Sequence, residues 1–80
     1  MKTEIVLRIF DGEERCQASR GILFDEEHWK PVPVAGDSIT LMVHDVIYRG
    51  SVISRHFDYS EVQQENPDAI LRITVDAREG

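Results

Sequence analysis

Apolar and polar residues alternate with a period of two along most of this chain, and that period predicts strands in preference to helices. Ile5, Leu7 and Ile9 alternate with Glu4, Val6 and Arg8, so residues 3–10 read as a half-buried strand. Asp11-Gly12 supplies a turn signal. Residues 15–24 then set Cys16, Ala18, Ile22 and Phe24 on one side, with Arg20 interrupting that side. A four-residue loop at 11–14 places Ile9 opposite Cys16 and Leu7 opposite Ala18. The rival reading is a short helix over 13–20, capped by Gly21. Its apolar face would hold little besides Cys16 and Ala18, too narrow a stripe to dock, and the strand is preferred.

Pro31 and Pro33 hold residues 30–34 extended, because a residue before proline avoids the helical region. Gly36-Asp37 turns the chain into residues 38–43, where Ile39, Leu41 and Val43 share a face. His44-Asp45 is a short turn, and pairing across it sets Leu41 opposite Tyr48 and Met42 opposite Ile47. Gly50, inside the run 46–57, marks a bulge or a sharp bend, so that run reads as one long curved strand. Ser60 and Gln63 have the spacing of a helix-capping pair, but Asn66-Pro67 leaves room for one short turn at most. Residues 69–77 are the cleanest strand, with Leu71, Ile73, Val75 and Ala77 alternating with Arg72, Thr74 and Asp76.

Five strands with short links, a kinked long strand and a last strand able to close against the first predict one mainly-β domain over 1–80. Its expected form is a small five-stranded antiparallel barrel or half-barrel. An α+β roll, with 13–20 or 58–66 helical, is the alternative. The turn Pro33-Val34-Ala35-Gly36-Asp37 leading to Ile39-x-Leu41, and then Tyr48-Arg49-Gly50-x-Val52, resembles small SH3-like barrel modules over about a third of the chain. The resemblance implies a fold and lends no catalytic residue. It also implies that aromatics near loops line a ligand groove. The chain lacks the acidic-aromatic loop pattern of the signalling SH3 domains that bind proline-rich peptides.

Composition narrows the function classes. A chain of 80 residues buries only about 60–65% of its unfolded surface, enough for one thin core and not for a deep, closed cavity. The formal charge of −6 and a pI near 4.9 disfavour nucleic acid, whose affinity rests on neutralised phosphates, and anionic membrane surfaces. No apolar run approaches the roughly 20 residues that span a bilayer. The single cysteine, Cys16, excludes an internal disulfide and a multi-cysteine zinc site. With no secretory pattern at the N-terminus, it points to a reducing, cytoplasmic setting.

Candidate chemistry is sparse. His28, His44 and His56 stand beside Glu27, Asp45 and Asp58, but at spacings unlike those of structural zinc sites. Cys16 reads as a small buried apolar residue, not a nucleophile. No nucleophile–base pair, phosphate loop or dinucleotide fingerprint is present, so neither an enzyme nor a cofactor is expected. Seven of the nine basic residues are arginine, most at outward strand positions where they can pair with carboxylates. Arg49 and Arg55 share a face of their strand if Gly50 adds no bulge, and Phe57 lies beside them. Trp29, Phe57 and Tyr59 either cap an open barrel end or form an exposed patch. The expectation is a binding or scaffold module working through a protein partner or a homodimer, by way of Trp29, Arg49, Arg55, Phe57 and Tyr59. One alternative is a nucleic-acid-binding barrel using the arginine and aromatic strand face. Another is a minor metal-binding or enzymatic role around His56 and Asp58.

Overall fold

In the computed structural model, which describes residues 2–24, 32–62 and 68–80, the period-two runs are strands. They are β1 (Lys2–Phe10), β2 (Cys16–Phe24), β3 (Ser38–Val43), β4 (Val46–Asp58) and β5 (Ile70–Arg78). The described residues include no helix and the chain is mainly β: 13–20 is turn and strand, while residues 63–66 of the alternative helix at 58–66 lie outside the described residues. One sheet holds all five strands in the order β2-β1-β5-β4-β3 and curls into a half-barrel.

The last strand does close against the first, but it runs parallel to it, so the sheet is mixed and not antiparallel throughout. β1 and β5 are joined through the three intervening strands, so no tight turn forces them antiparallel. Their register sets Ile5 beside Ile73, Leu7 beside Val75 and Ile9 beside Ala77, which puts both apolar rows on one face. That concave face carries the core: Ile5, Ile9, Ala18, Ile39, Leu41, Val52, Leu71, Ile73, Val75 and Ala77. Tyr48, Phe57 and Val62 pack at its margin.

Two bulges depart from the simple alternation. In β2, Ile9 faces Ala18 while Phe10 faces Cys16, which leaves Gln17 as the extra residue. Register is therefore two positions along from that of a four-residue loop: Leu7 faces Arg20 and Ile5 faces Ile22. The bulge turns Cys16 toward the side of Phe10, and its thiol is exposed instead of buried with Ala18. In β4, Val52 faces Ala77 and Ser54 faces Asp76, so Ile53 is extra. Gly50, the expected bulge, pairs with Ile39 in unbroken register. Its glycine has a different cause: a Cβ there would lie 3.1 Å from the Ala77 Cβ and 3.1 Å from the Arg78 carbonyl oxygen.

The β3–β4 hairpin pairs as its sequence predicts, Leu41 with Tyr48 and Met42 with Ile47. Its two turn residues, His44 (φ 51°) and Asp45 (φ 65°), are both left-handed, as a two-residue hairpin matched to strand twist requires. Ahead of β3, Gly36 (φ 98°) takes the left-handed position of a turn closed by the Asp37 N–H on the Val34 carbonyl at 3.0 Å. The Asp37 carboxylate accepts from the Val34 N–H in return, at 2.9 Å.

β2 and β3 are the two edges of the sheet. The Arg20 guanidinium spans the seam between them and donates to the Met42 carbonyl at 2.9 Å. This explains a cation in the apolar row of β2: it bridges the edge strands where no backbone ladder forms, and it covers a carbonyl that would otherwise invite another strand.

Candidate functional site

The bulge at Ile53 decides which residues of β4 stand together. Before it, Tyr48, Gly50 and Val52 face the concave side, and Arg49, opposite Thr40, faces outward. Beyond it the parity inverts. Arg55 pairs with Val75 and Phe57 with Ile73, so both lie on the concave side. Arg49 and Arg55 therefore stand on opposite faces, and the single arginine stripe does not form. Trp29 lies outside the described residues.

Three of the expected residues are brought together. The Arg55 guanidinium sits 5.2 Å from the centre of the Phe57 ring. Phe57 stacks on Tyr59, with centroids 6.3 Å apart and planes 16° from parallel. Phe57 packs against the core, while Tyr59 is 51% exposed. The row is thus anchored at its centre and open along its outer rim. A cation over an aromatic face at an exposed site contributes about 0.5–1 kcal/mol. That contact holds the guanidinium in place without neutralising it.

Most other arginines are neutralised. Arg8 grips Asp76 through two hydrogen bonds of 2.7 and 2.9 Å, and the bonded carboxylate raises its pKa. Arg15 pairs with Asp11 and Glu13, Arg72 with Glu4 and Glu61, and Arg78 with Glu14. These form the solvated outer face, where each pair is worth under about 1 kcal/mol. Among the described residues, Arg20, Arg49 and Arg55 meet no carboxylate.

His56 and Asp58 occupy the outward row of β4, opposite Thr74 and Arg72. The Asp58 carboxylate accepts the Ser60 N–H at 2.9 Å. Hydrogen bonds from Ser60, side chain first and then backbone, lower its pKa, with His56 and Arg72 adding to the effect. Its acceptor capacity is therefore partly committed. Among the described residues, no three His, Cys, Asp or Glu side chains come together as a metal site.

Two further surfaces were not legible in the sequence. A shallow recess of about 260 Å³ opens on the outer face among Phe10, Glu14, Ile53, Asp76 and Arg78. It exists because the β4 bulge gives Ile53 to the outer side. On the β3–β4 hairpin, Met42 and Ile47 face each other across the strands and are 55% and 53% exposed. Their alternation is visible in the sequence, but not that both stay more than half exposed among the described residues.

Comparisons with protein-family models, curated proteins and solved structures return no match. Among the described residues, no helix is long and apolar enough to cross a membrane.

Proposed function

We propose that this chain is a non-enzymatic binding module that engages a protein partner through the Arg55–Phe57–Tyr59 row. The observation that carries this reading is an arginine held over an aromatic ring, with no carboxylate of the described residues to neutralise it. Arginine and tyrosine are the side chains that most often dominate protein contacts, and they do so best around a fixed, half-buried anchor such as Phe57. Arg55 would take a partner's carboxylate or backbone carbonyl, and Tyr59 would supply stacking area. A reducing, cytoplasmic setting fits the single exposed thiol at Cys16. The same row could stack against unpaired bases, but a chain of charge −6 repels phosphate, so protein is the preferred partner.

The test begins by identifying what wild-type protein captures from its source cells. Affinity for that partner is then measured with Arg55→Glu and Tyr59→Ala, neither of which removes a core side chain. Each substitution is expected to weaken binding by about tenfold or more, with far-UV circular dichroism unchanged. Unaltered affinity in both variants overturns the reading, as does a captured partner that nuclease treatment removes.

A further inference from the structure

Met42 and Ile47 lie side by side on the outer face of the β3–β4 hairpin, each more than half exposed. Asp45 stands at the hairpin tip, two residues before Ile47, and Arg49 stands two residues after it. Read from the hairpin tip along the chain, the exposed positions Asp45, Ile47 and Arg49 are therefore acid, apolar and base. Both charged groups are exposed, and neither is in an ion pair with a described residue.

We infer that this face is a self-association surface, on which a second copy of the chain packs its own hairpin about a two-fold axis. A two-fold contact must be self-complementary: whatever one copy presents at one end of the patch, the other must answer there. An axis lying between the faces and crossing the strands at right angles meets this demand. It stacks Met42 on the other copy's Met42 and Ile47 on its Ile47, and it brings Arg49 of each copy against Asp45 of the other. Arg49 lies about 7 Å beyond Ile47 along β4 and Asp45 lies on the other side of Ile47 at the tip, so the axis carries each Arg49 toward the other copy's Asp45 and both charge pairs close together. An axis along the strands would instead set Arg49 against Thr40 and leave all four charges unanswered. The hairpin's free edge is a poorer contact, because Arg20 already occupies the Met42 carbonyl there.

The surface is independent of the Arg55–Phe57–Tyr59 row, which lies on the opposite face of the sheet, so the two readings fail separately. Ionic strength alone is a poor probe. Salt weakens the two pairs but also relieves repulsion between two chains of charge −6. Charge exchange removes that ambiguity, since Asp45→Lys with Arg49→Asp restores the original net charge.

Sedimentation equilibrium up to millimolar concentration reads the dimer constant. Wild type is expected to dimerise, and Met42→Thr with Ile47→Thr, which keeps good strand formers, to remain monomeric. Asp45→Asn, which the left-handed backbone accepts, and Arg49→Asp should each weaken the dimer. Arg49→Asp should do so by about tenfold, having turned two attractions into two repulsions. The double exchange should recover most of that loss. A strictly monomeric wild type overturns the inference. So does a dimer indifferent to the threonine pair, or one strengthened by Asp45→Asn, which would show that net charge alone is at work.

Discussion

Gly50 shows how one missing side chain shapes this sheet. Its partner across the β3–β4 ladder is ordinary, but its open face lies against the end of β5, with the Ala77 Cβ and the Arg78 carbonyl both 3.1 Å from where a Cβ would stand. Two of the three nearest atoms are backbone, held by pairing with β1 and β4. Gly50→Ala would gain about 0.4–1 kcal/mol by restricting the unfolded chain. Overpacking of a close contact costs about 1–3 kcal/mol, so the net effect is a loss of about 1 kcal/mol. Gly21, also in a strand, is a built-in control: its nearest atom is the flexible end of Glu4 at 3.9 Å. Gly21→Ala should be neutral or stabilising by up to about 1 kcal/mol. Urea denaturation of both variants checks the argument, which fails if the two midpoints move together.

The β1–β2 connection makes the corresponding point for an element. Four hydrogen bonds converge on the Asp11 carboxylate: from the N–H groups of Glu13 and Arg15, from the Arg15 guanidinium and from the Gln17 amide, at 2.8–3.1 Å. They favour the ionised form, the Arg15 N–H most of all, and hold its pKa below the ordinary 3.8. A carboxylate whose pKa falls on folding adds stability that is complete above its unfolded value and lost as pH drops through the folded one. Stability should therefore fall below about pH 4, and Asp11→Asn should flatten part of that fall while lowering stability at neutral pH. Thermal midpoints of both proteins from pH 2 to 7 test this; parallel profiles would refute it. The same connection shows what the sequence could reveal. Asp11-Gly12 announced a turn, and the alternation on either side announced strands, because turn chemistry and period two are local properties. Register was not local: it depended on how many residues Asp11 gathered and on a bulge at Gln17 that no residue type signals. The bulge at Ile53 is silent in the sequence for the same reason: with Gly50 in register, period two alone puts Arg49 and Arg55 on one face, and the extra residue parts them. The Arg55, Phe57 and Tyr59 group was legible because its spacing, i, i+2 and i+4, lies wholly beyond that bulge.

At the scale of the whole molecule, stability and the candidate site depend on the same strand. β5 lies at the middle of the sheet, and its Ile73 is fully buried between Ile5 of β1 and Phe57 of β4. Chains this size are stable by only about 0.05–0.15 kcal/mol per residue, so the whole domain rests on about 4–12 kcal/mol. Ile73→Ala would cost about 2–5 kcal/mol, between about a sixth of that total and all of it. Ile73→Val, losing one methyl group, would cost about 0.5–1.5 kcal/mol and leave the protein folded. The apolar residue at the β4 bulge offers the contrast, because Ile53 is 48% exposed and belongs to no ladder pair. Ile53→Ala should shift the urea midpoint far less than Ile73→Ala does. A comparable shift for both would show that the concave face is not the seat of stability. Ile73 is the cross-strand neighbour of Phe57 in the core, so loss of this side chain also removes part of what the aromatic anchor packs beside. Ile73→Val should therefore keep partner binding within about threefold of wild type. Ile73→Ala should lose binding in step with its unfolded fraction, and binding that outlasts the cooperative unfolding of the sheet would separate the site from the core.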